Sequence, residues 1–257
     1  MVEKTIYYKD LGEGLPIVFI HPPGMGHKVF LYQENLSQSY RILLPDLNGH
    51  GMSSKRDNPV SIPGFSLDIK EMLDHAGMEK AVICGYSAGS MVAQDFVLSY
   101  PERTHAMILS GGYPKVNSLL LAAEYKLGMR LVRKNRERLA YIIARSHTNH
   151  PSFQNVLKNY MMKADPRVWY EFYHKSYHYD CSERLSSVKV PVLLLYGARE
   201  TWMKKHIPFY NQCSFCTLQE IPKAFHQLPS RQSVYFNRII DHFLREQAPL
   251  FQNMISK

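Results

Sequence analysis

The chain has 257 residues, which suffices for one enzyme-sized domain with a large core and is short for two independent catalytic domains. Hydrophobic residues make up 45% of the chain and charged residues 21%, so the composition excludes intrinsic disorder and fibrous repeats. The formal net charge is +9, but residues 113–189 hold 14 Lys and Arg against 6 Asp and Glu, whereas the remainder holds 17 against 16. The basic character therefore belongs to one internal segment, and no recognised nucleic-acid-binding motif accompanies it.

The apolar runs and the cysteines indicate the cellular compartment in which the protein is expected. No apolar run approaches the roughly 20 residues that cross a bilayer, and residues 1–10 lack the apolar stretch of a signal peptide. The four cysteines, Cys84, Cys181, Cys213 and Cys216, are irregularly spaced and make a poor disulfide framework. We therefore expect a soluble, cytoplasmic protein with no membrane or nucleic-acid partner.

Short apolar or β-branched runs alternate with amphipathic stretches along most of the chain. The predicted strands are Thr5–Lys9, Pro16–Ile20, Arg41–Leu44, Ala81–Gly85, Met107–Ser110, Val190–Tyr196 and Cys216–Ile221. The predicted helices among them are Val29–Gln38, Ser66–His75, Ala88–Ser99, Trp202–Phe209 and Val234–Arg245. Several strands are almost continuously apolar, which is typical of strands buried on both faces of a parallel sheet. The alternation predicts an α/β fold with a mostly parallel sheet and helices on both faces.

The alternation stops between Tyr113 and Lys189, where about three helical patterns follow one another. We interpret residues 113–189 as an inserted helical cap on a core domain made of residues 1–112 and 190–257. The cap holds eight of the 17 tyrosines: Tyr113, Tyr125, Tyr141, Tyr160, Tyr170, Tyr173, Tyr177 and Tyr179. Most of these rings are expected to pack the cap against the sheet. An aromatic pocket beneath the basic segment would favour apolar or aromatic substrates that carry an anionic group.

The cap also contains a histidine pair with the spacing of metal ligands. His174 and His178 are four residues apart, with Asp180 and Cys181 close behind. No complete ligand set is visible, so we predict surface residues rather than a metal site.

The sharpest motif is Gly85-Tyr-Ser-Ala-Gly89, which directly follows a predicted strand and directly precedes a predicted helix. A serine at such a tight turn exposes its hydroxyl, and the glycines let the neighbouring backbone pass closely. The start of the helix also favours developing negative charge at the same place. The motif predicts that Ser87 is a nucleophile.

A serine hydroxyl needs a base to take its proton and a carboxylate to orient that base. His226 follows the last predicted strand by a short loop, whereas His206 and His242 fall inside predicted helices. Glu200 follows the preceding strand, at the edge where α/β sheets place their sites. Glu220 is too close to His226 along the chain to turn back easily. We therefore predict the triad Ser87, His226 and Glu200.

The sequence resembles the α/β-hydrolase superfamily, in particular its small cap-bearing esterase, lactonase and carbon-carbon hydrolase branch. The resemblance rests on four motifs in order: His21-Pro-Pro-Gly24, Asp46-Leu-Asn-Gly-His-Gly-Met-Ser53, Gly85-Tyr-Ser-Ala-Gly89, and Gly197-x-x-Glu200 with His226. The family usually has Asp where this chain has Glu200. The resemblance covers nearly all of the chain outside the cap.

The resemblance implies an oxyanion hole made of two backbone N–H groups. One belongs to Ala88, and the other position corresponds to Pro23, which has no N–H. We expect Gly24 or Met25 to supply the second donor from a shifted loop. Residues that flank these positions, Pro23, Tyr86, Trp202 and Phe225, are expected to contact the substrate.

The resemblance further implies hydrolysis of an ester or lactone of a small molecule, with no metal or organic cofactor. One alternative is a carbon-carbon hydrolase or lyase of the same fold, of the menaquinone-pathway or ring-cleavage type. Another is a ligand-binding protein on a hydrolase scaffold, an alternative that Pro23 keeps open. Ser87 in place of Asp argues against dehalogenase and epoxide-hydrolase chemistry.

Overall fold

The computed structural model describes residues 6–57 and 59–255, with side chains up to residue 249. A seven-stranded sheet crosses the molecule in the order β1-β3-β2-β4-β5-β6-β7. The strands are β1 (Tyr8–Leu11), β2 (Pro16–Ile20), β3 (Arg41–Pro45), β4 (Ala81–Tyr86), β5 (Thr104–Ser110), β6 (Val192–Gly197) and β7 (Cys216–Ile221). Strand β1 pairs antiparallel with β3, and every other pairing is parallel. The predicted α/β fold with a mostly parallel sheet is confirmed.

Helices cover both faces of this sheet. They are α1 (Ile62–His75), α2 (Gly89–Ser99), α3 (Leu119–His147), α4 (Pro151–Met161), α5 (Pro166–His178), α6 (Leu228–Arg231) and α7 (Ser233–Ile255). Further 3₁₀ helices span His27–Gln38, Pro101–Arg103, Ser182–Ser187 and Lys204–Gln212. Helices α1 and α2 share one core cluster with the sheet, and α7 shares the other with the 3₁₀ helix at residues 27–38. Strands β2, β4, β5 and β6 are buried along their whole length because both faces are covered.

Helices α3, α4 and α5 lie between β5 and β6 in the chain, and we call them the β5–β6 helices. Helix α3 is broken at Asn135, whose φ of −160° and ψ of 73° are not helical. The Asn135 side chain accepts a hydrogen bond from the N–H of Arg138 at 3.0 Å and so starts the second half of the helix. Both core clusters of the sheet continue into these helices, through Phe172 on one side and Trp169 on the other. The division of the chain into a core and a cap stays a prediction.

Several element bounds differ from the sequence-based ones. Strand β5 begins three residues earlier than predicted, and α1 begins at Ile62, where Ser61 caps it by accepting from the N–H of Gly64. The predicted helices at 29–38 and 202–209 are 3₁₀ helices. The first predicted strand begins at Thr5, which lies outside the described residues, and the part described runs from Tyr8. No described helix combines the length and apolar character needed to span a bilayer.

Candidate active site

Ser87 stands in a tight turn between β4 and α2. Its φ of 51° lies in the left-handed region, which costs a residue with a side chain about 1–2 kcal/mol. A Cβ on Gly85 would come within 2.6 Å of the Ser90 Cα, and one on Gly89 would collide with the carbonyl oxygen of Ile20. The turn therefore requires glycine on both sides of the serine, which is the physical reason for the motif.

Two side chains from separate loops meet Ser87 at this edge of the sheet. The Nε2 atom of His226 lies 2.8 Å from the Ser87 Oγ, and its Nδ1 is hydrogen-bonded to Oε1 of Glu200. Glu200 is fully buried, and the N–H of Gly197 donates to its Oε2 at 3.2 Å. With the Nδ1 proton directed to the carboxylate, Nε2 is free to accept the serine proton. The structure thus brings together all three residues predicted as the triad.

The carboxylate also sets the basicity of His226. Burial disfavours the charged imidazole, but the charge and hydrogen bond of Glu200, together with the charge of Glu124, outweigh burial and raise the pKa of His226. An imidazole in these surroundings can hold a proton that it has taken from the serine.

A glycine that was not predicted as a site residue makes room for this pair. Gly111 follows β5 with a φ of 56°, and a Cβ there would lie 2.6 Å from Nδ1 of His226 and 3.1 Å from Oε1 of Glu200. The Gly111-Gly112 pair directly after a buried strand is the sequence signal that could have identified it.

A cavity of about 360 Å³ opens onto Ser87 between the sheet edge and α3. Pro23, Met25, Tyr86 and Trp202, all predicted near the site, are among the lining residues. Helix α3 adds apolar side chains to the wall, which are Leu121, Leu127, Leu131, Leu139, Ile142 and Ile143. Phe225 does not line this cavity. Its ring is half exposed and stacks on the Arg199 guanidinium at 5.6 Å.

The charge of the cavity differs from the prediction of a pocket beneath a positive surface. Among the described residues that line it there is no Lys or Arg, and Glu124 is the carboxylate at its wall. Basic side chains of the β5–β6 helices make other contacts. The Arg133 guanidinium lies 3.9 Å from the Tyr170 ring centre, and Lys158 pairs with Glu137 at 2.7 Å. The basic segment therefore does not supply a cation to the cavity.

The loop after β2 presents a proline to the cavity. Pro23 and Ala88 both line it, and Ala88 precedes α2, so its N–H has no acceptor within that helix. The N–H of Met25 donates to the carbonyl oxygen of Pro22 at 3.3 Å. Gly24 packs against α5, where an added Cβ would collide with the Trp169 ring. Of the two predicted replacements for the missing N–H, that of Met25 is engaged with Pro22, whereas the N–H of Gly24 has no acceptor among the described residues.

A buried histidine that was not predicted as a site residue joins α3 to the turn that carries Ser87. The Tyr86 hydroxyl lies 3.0 Å from Nε2 of His147, and Nδ1 of that histidine lies 2.8 Å from the carbonyl oxygen of Ile143. Burial lowers the pKa of His147 to about 4, so the ring is neutral near pH 7 and accepts from Tyr86.

Among the described residues, the cysteines form no disulfide, and the histidine pair of α5 belongs to no metal site. All four cysteines are free, with Cys216 exposed and the other three buried. The rings of His174 and His178 are 4.8 Å apart. Within residues 6–57 and 59–255, no group of three or more His, Cys, Asp or Glu side chains is arranged to hold a metal ion.

Comparisons with known proteins agree on the fold and on the general chemistry. The family model described as serine aminopeptidase, S33, matches residues 23–230. A protein of Acinetobacter baylyi named 3-oxoadipate enol-lactonase 2 is 22% identical over 77% of this chain and 77% of its own length. A protein of Comamonas testosteroni named 2-hydroxy-6-oxononadienedioate/2-hydroxy-6-oxononatrienedioate hydrolase is 35% identical over 46% of this chain and 43% of its own.

Among solved structures, an esterase from Exiguobacterium antarcticum superposes with a TM-score of 0.84 at 18% identity, covering 93% of this chain and 95% of that one. This likeness shows the fold. The chain spans less than half the length of several curated relatives that it matches. The family model, in contrast, spans most of the chain and includes both Ser87 and His226. The chain therefore belongs to the serine aminopeptidase S33 family and is an enzyme of the α/β-hydrolase superfamily.

Proposed function

We propose that this enzyme is a serine hydrolase that cleaves a carboxylic ester or lactone through a Ser87–His226–Glu200 triad. The observation that carries the proposal is the aligned chain of contacts from Ser87 Oγ to Nε2 of His226 and from Nδ1 to Glu200. The serine opens onto a cavity, so a carbonyl carbon can reach its oxygen.

The proposed reaction proceeds through an acyl-enzyme. Nε2 of His226 takes the Ser87 proton while Oγ attacks the carbonyl carbon, and Glu200 stabilises the resulting imidazolium. His226 then gives the proton to the leaving alkoxide, which departs as an alcohol or stays attached as the opened end of a lactone. A water molecule, deprotonated by the same histidine, attacks the acyl carbon and releases the acid with Ser87 restored.

The cavity wall supports a neutral substrate. Leucine and isoleucine side chains of α3 cover one side, and aromatic rings such as Tyr113 and Trp202 cover others. A carboxylate on the substrate would meet Glu124 and no cation of the described lining. We therefore propose an apolar or aromatic ester or lactone without a charge near the scissile bond. The names of the lactonase and esterase relatives are consistent with cleavage of a lactone or an ester.

A carbon-carbon hydrolase is the second candidate. The observation that favours it is the similarity to the Comamonas testosteroni hydrolase, whose name gives dioates, and hence dianions, as its substrates. The lining disfavours it here because two carboxylates would lose water without gaining a cationic partner.

We also propose that the enzyme is cytoplasmic, which the four free cysteines support. We propose further that it acts on small molecules alone.

The test is covalent labelling of the protein with a fluorophosphonate, followed by intact mass and by turnover of short p-nitrophenyl esters. We expect one adduct and ester hydrolysis for the unmodified enzyme, and neither for Ser87→Ala. Ser99→Ala is the matched control, since Ser99 lies exposed at the opposite end of α2 and should label fully. Absence of an adduct on the unmodified enzyme, together with tight binding of a small aromatic ligand, would contradict the proposal and favour a binding protein.

A further inference from the structure

A second cavity lies beside the loop that carries His226. Its volume is about 450 Å³, which is enough for a small molecule. The wall is formed mainly by the loop after β7, the junction of α6 with α7 and the loop between α3 and α4. His147 and Gln227 line both this second cavity and the cavity at Ser87, so the two cavities are neighbours.

The two cavities differ in charge. Among the described residues that line the second cavity are Lys223 and Arg231, and there is no Asp or Glu. The described lining of the cavity at Ser87 has the reverse character, with Glu124 and no Lys or Arg. A negatively charged group would therefore meet cationic partners in the second cavity and a carboxylate in the first.

The charge of Arg231 is not neutralised by a carboxylate. Its Nε donates to the carbonyl oxygen of Ser146 at 2.5 Å, and its Nη2 donates to that of Arg145 at 3.0 Å. Nη2 also donates to Oδ1 of Asn149 at 3.1 Å. These neutral oxygens fix the guanidinium at the wall of the cavity, while Nη1 has no acceptor among the described residues. Arg231 is therefore held in place with hydrogen-bond donors to spare.

Lys223 has a backbone conformation that disfavours lysine. It is the third residue of a turn in which the N–H of Ala224 donates to the carbonyl oxygen of Ile221 at 3.3 Å, and Pro222 precedes it. Its φ is 60°, in the left-handed region, and the third position of such a turn favours glycine. Of the described residues other than glycine, Ser87 alone shares a positive φ. Strain of this kind is concentrated at functional sites.

The side chain of Lys223 makes no interaction that would offset this strain. Its ammonium group has no hydrogen bond, ion pair or ring contact with any described residue, yet the residue lines the second cavity. A glycine would fit the turn without strain, so what lysine adds at this position is a cation at the cavity wall.

The turn is fixed to the loop that carries Glu200 and brings an aromatic ring with it. The carbonyl oxygen of Ala224 accepts from the N–H of Arg199 at 2.9 Å. Phe225 lines the second cavity with a half-exposed ring, whose centre lies 5.6 Å from the Arg199 guanidinium. The cavity therefore combines the cations of Lys223 and Arg231 with an apolar surface.

We propose that the second cavity binds the anionic group of a small molecule, a carboxylate or a phosphate, between Lys223 and Arg231. The Lys223 ammonium and Nη1 of Arg231 donate to the oxygens of the anion, and the ring of Phe225 packs against the body of the molecule. The anionic group belongs either to the far end of a substrate whose scissile bond lies at Ser87 or to a separate ligand. The site goes beyond the ester hydrolysis proposed above, and binding there does not depend on that activity.

The test is calorimetric titration of the protein with inorganic phosphate and with phenyl phosphate, at an ionic strength held constant with chloride. We expect saturable binding of both, tighter for phenyl phosphate because its ring contacts Phe225. Lys223→Gln removes the charge and should raise both Kd values about tenfold. Lys175→Gln is the matched control, since Lys175 is an exposed lysine of α5 that does not line the cavity. Its Kd values should equal those of the unmodified protein.

Lys223→Gly separates the site from a packing defect. The glycine removes both the charge and the backbone strain, so this variant should bind phosphate as weakly as Lys223→Gln and yet melt at a higher temperature than the unmodified protein. No saturable binding of either phosphate to the unmodified protein would overturn the proposal. Equal Kd values for the unmodified protein and Lys223→Gln would overturn it as well.

Ester kinetics identify the source of the anionic group. The substrates are p-nitrophenyl butyrate and mono-p-nitrophenyl glutarate, whose acyl chain ends in a carboxylate. If the anion is part of the substrate, Lys223→Gln lowers kcat/KM for the glutarate ester alone. If it is a separate ligand, the ratio of the two kcat/KM values stays unchanged while phosphate binding weakens. An unmodified enzyme that hydrolyses neither ester would contradict the proposed function, and calorimetry would still decide the anion site.

Discussion

Two histidine-carboxylate pairs lie near the carboxyl edge of the sheet, and their surroundings differ. The pair of His226 and Glu200 has a serine oxygen within 2.8 Å and a cavity in front of it. The pair of His27 and Asp46 is sealed, with side chains 3% and 0% exposed and 3.0 Å between Nδ1 and Oδ1. A hydrogen-bonded histidine and carboxylate therefore do not identify an active site by themselves.

The sealed pair has a structural task instead. Asp46 accepts hydrogen bonds from the N–H and Nδ1 of His27, the N–H of Met52 and the hydroxyl of Tyr160. Tyr160 belongs to α4, so one carboxylate joins the loop after β2, the loop after β3 and a helix of the β5–β6 group. All its acceptor sites are engaged, whereas one nitrogen of His226 faces a reactive group. Whether such a pair can act in catalysis therefore depends on its access to a cavity and on a reactive third group beside the histidine.

The largest effect should follow from Glu200→Gln. The amide carries no charge to stabilise the imidazolium of His226, so we expect kcat to fall on the order of 10⁴-fold. Steady-state ester kinetics measure this loss. The control is Glu220→Gln, since Glu220 pairs with Lys204 at the surface at 2.9 Å. Similar losses in both variants would show that the acid has been wrongly assigned.

Gly111→Ala tests the accessible pair, His226 and Glu200. The new methyl group would press on the His226 ring and displace it from Ser87, and a displacement of about 1 Å costs on the order of 100-fold in rate. Gly77→Ala is the control, because Gly77 has a similar φ of 68° with no atom within 4 Å of an added Cβ. It should show the backbone strain alone, as a lower melting temperature with normal kcat. A Gly111→Ala enzyme with normal kcat would contradict the role given to Gly111.

Asp46→Asn tests the sealed pair, His27 and Asp46, and should change the free energy of unfolding more than kcat. Removal of the charge from this buried pair is expected to cost about 3 kcal/mol of the free energy of unfolding, with kcat of the folded fraction nearly unchanged. Burial opposes ionisation of Asp46, but the hydrogen bond and charge of His27, the charge of His21 and the hydrogen bond of Tyr160 outweigh it and lower its pKa to about 2.

A carboxylate with a lowered pKa stabilises the fold above its unfolded pKa of about 4, and this contribution disappears as the pH falls through the folded value. Denaturant unfolding should therefore show the difference between Asp46→Asn and the unmodified protein narrowing between pH 5 and pH 2. A difference that stays constant over this range would mean that the charge of Asp46 is not what stabilises the pair.

Much of the fold and the three residues of the proposed triad could be predicted because their signals are local. Strands buried on both faces are continuous apolar runs, and the serine turn needs glycines at fixed spacing. The order of strands along the chain then indicated which histidine and which carboxylate follow the last two strands.

Other features could not be predicted because they depend on which faces meet. Tyr113 and His147 are separated from Ser87 along the chain and come to the site only through the ends of β5 and α3. Phe225 was predicted from its place beside His226, but adjacent residues in a loop point in different directions. The number of basic residues in 113–189 gives the net charge of the segment but not the surface on which the charges lie. The described lining of the cavity at Ser87 contains no Lys or Arg from this segment.

The break in α3 at Asn135 has a consequence for how this enzyme can acquire new substrates. Leu127 and Leu131 stand before the break, and Leu139 and Ile142 stand after it, so the two halves hold different parts of the wall. Substitutions at the junction alter the angle between the halves and hence the width of the space, without touching the loops that carry Ser87 and His226. Selection can therefore change which molecules fit while the chemistry stays the same.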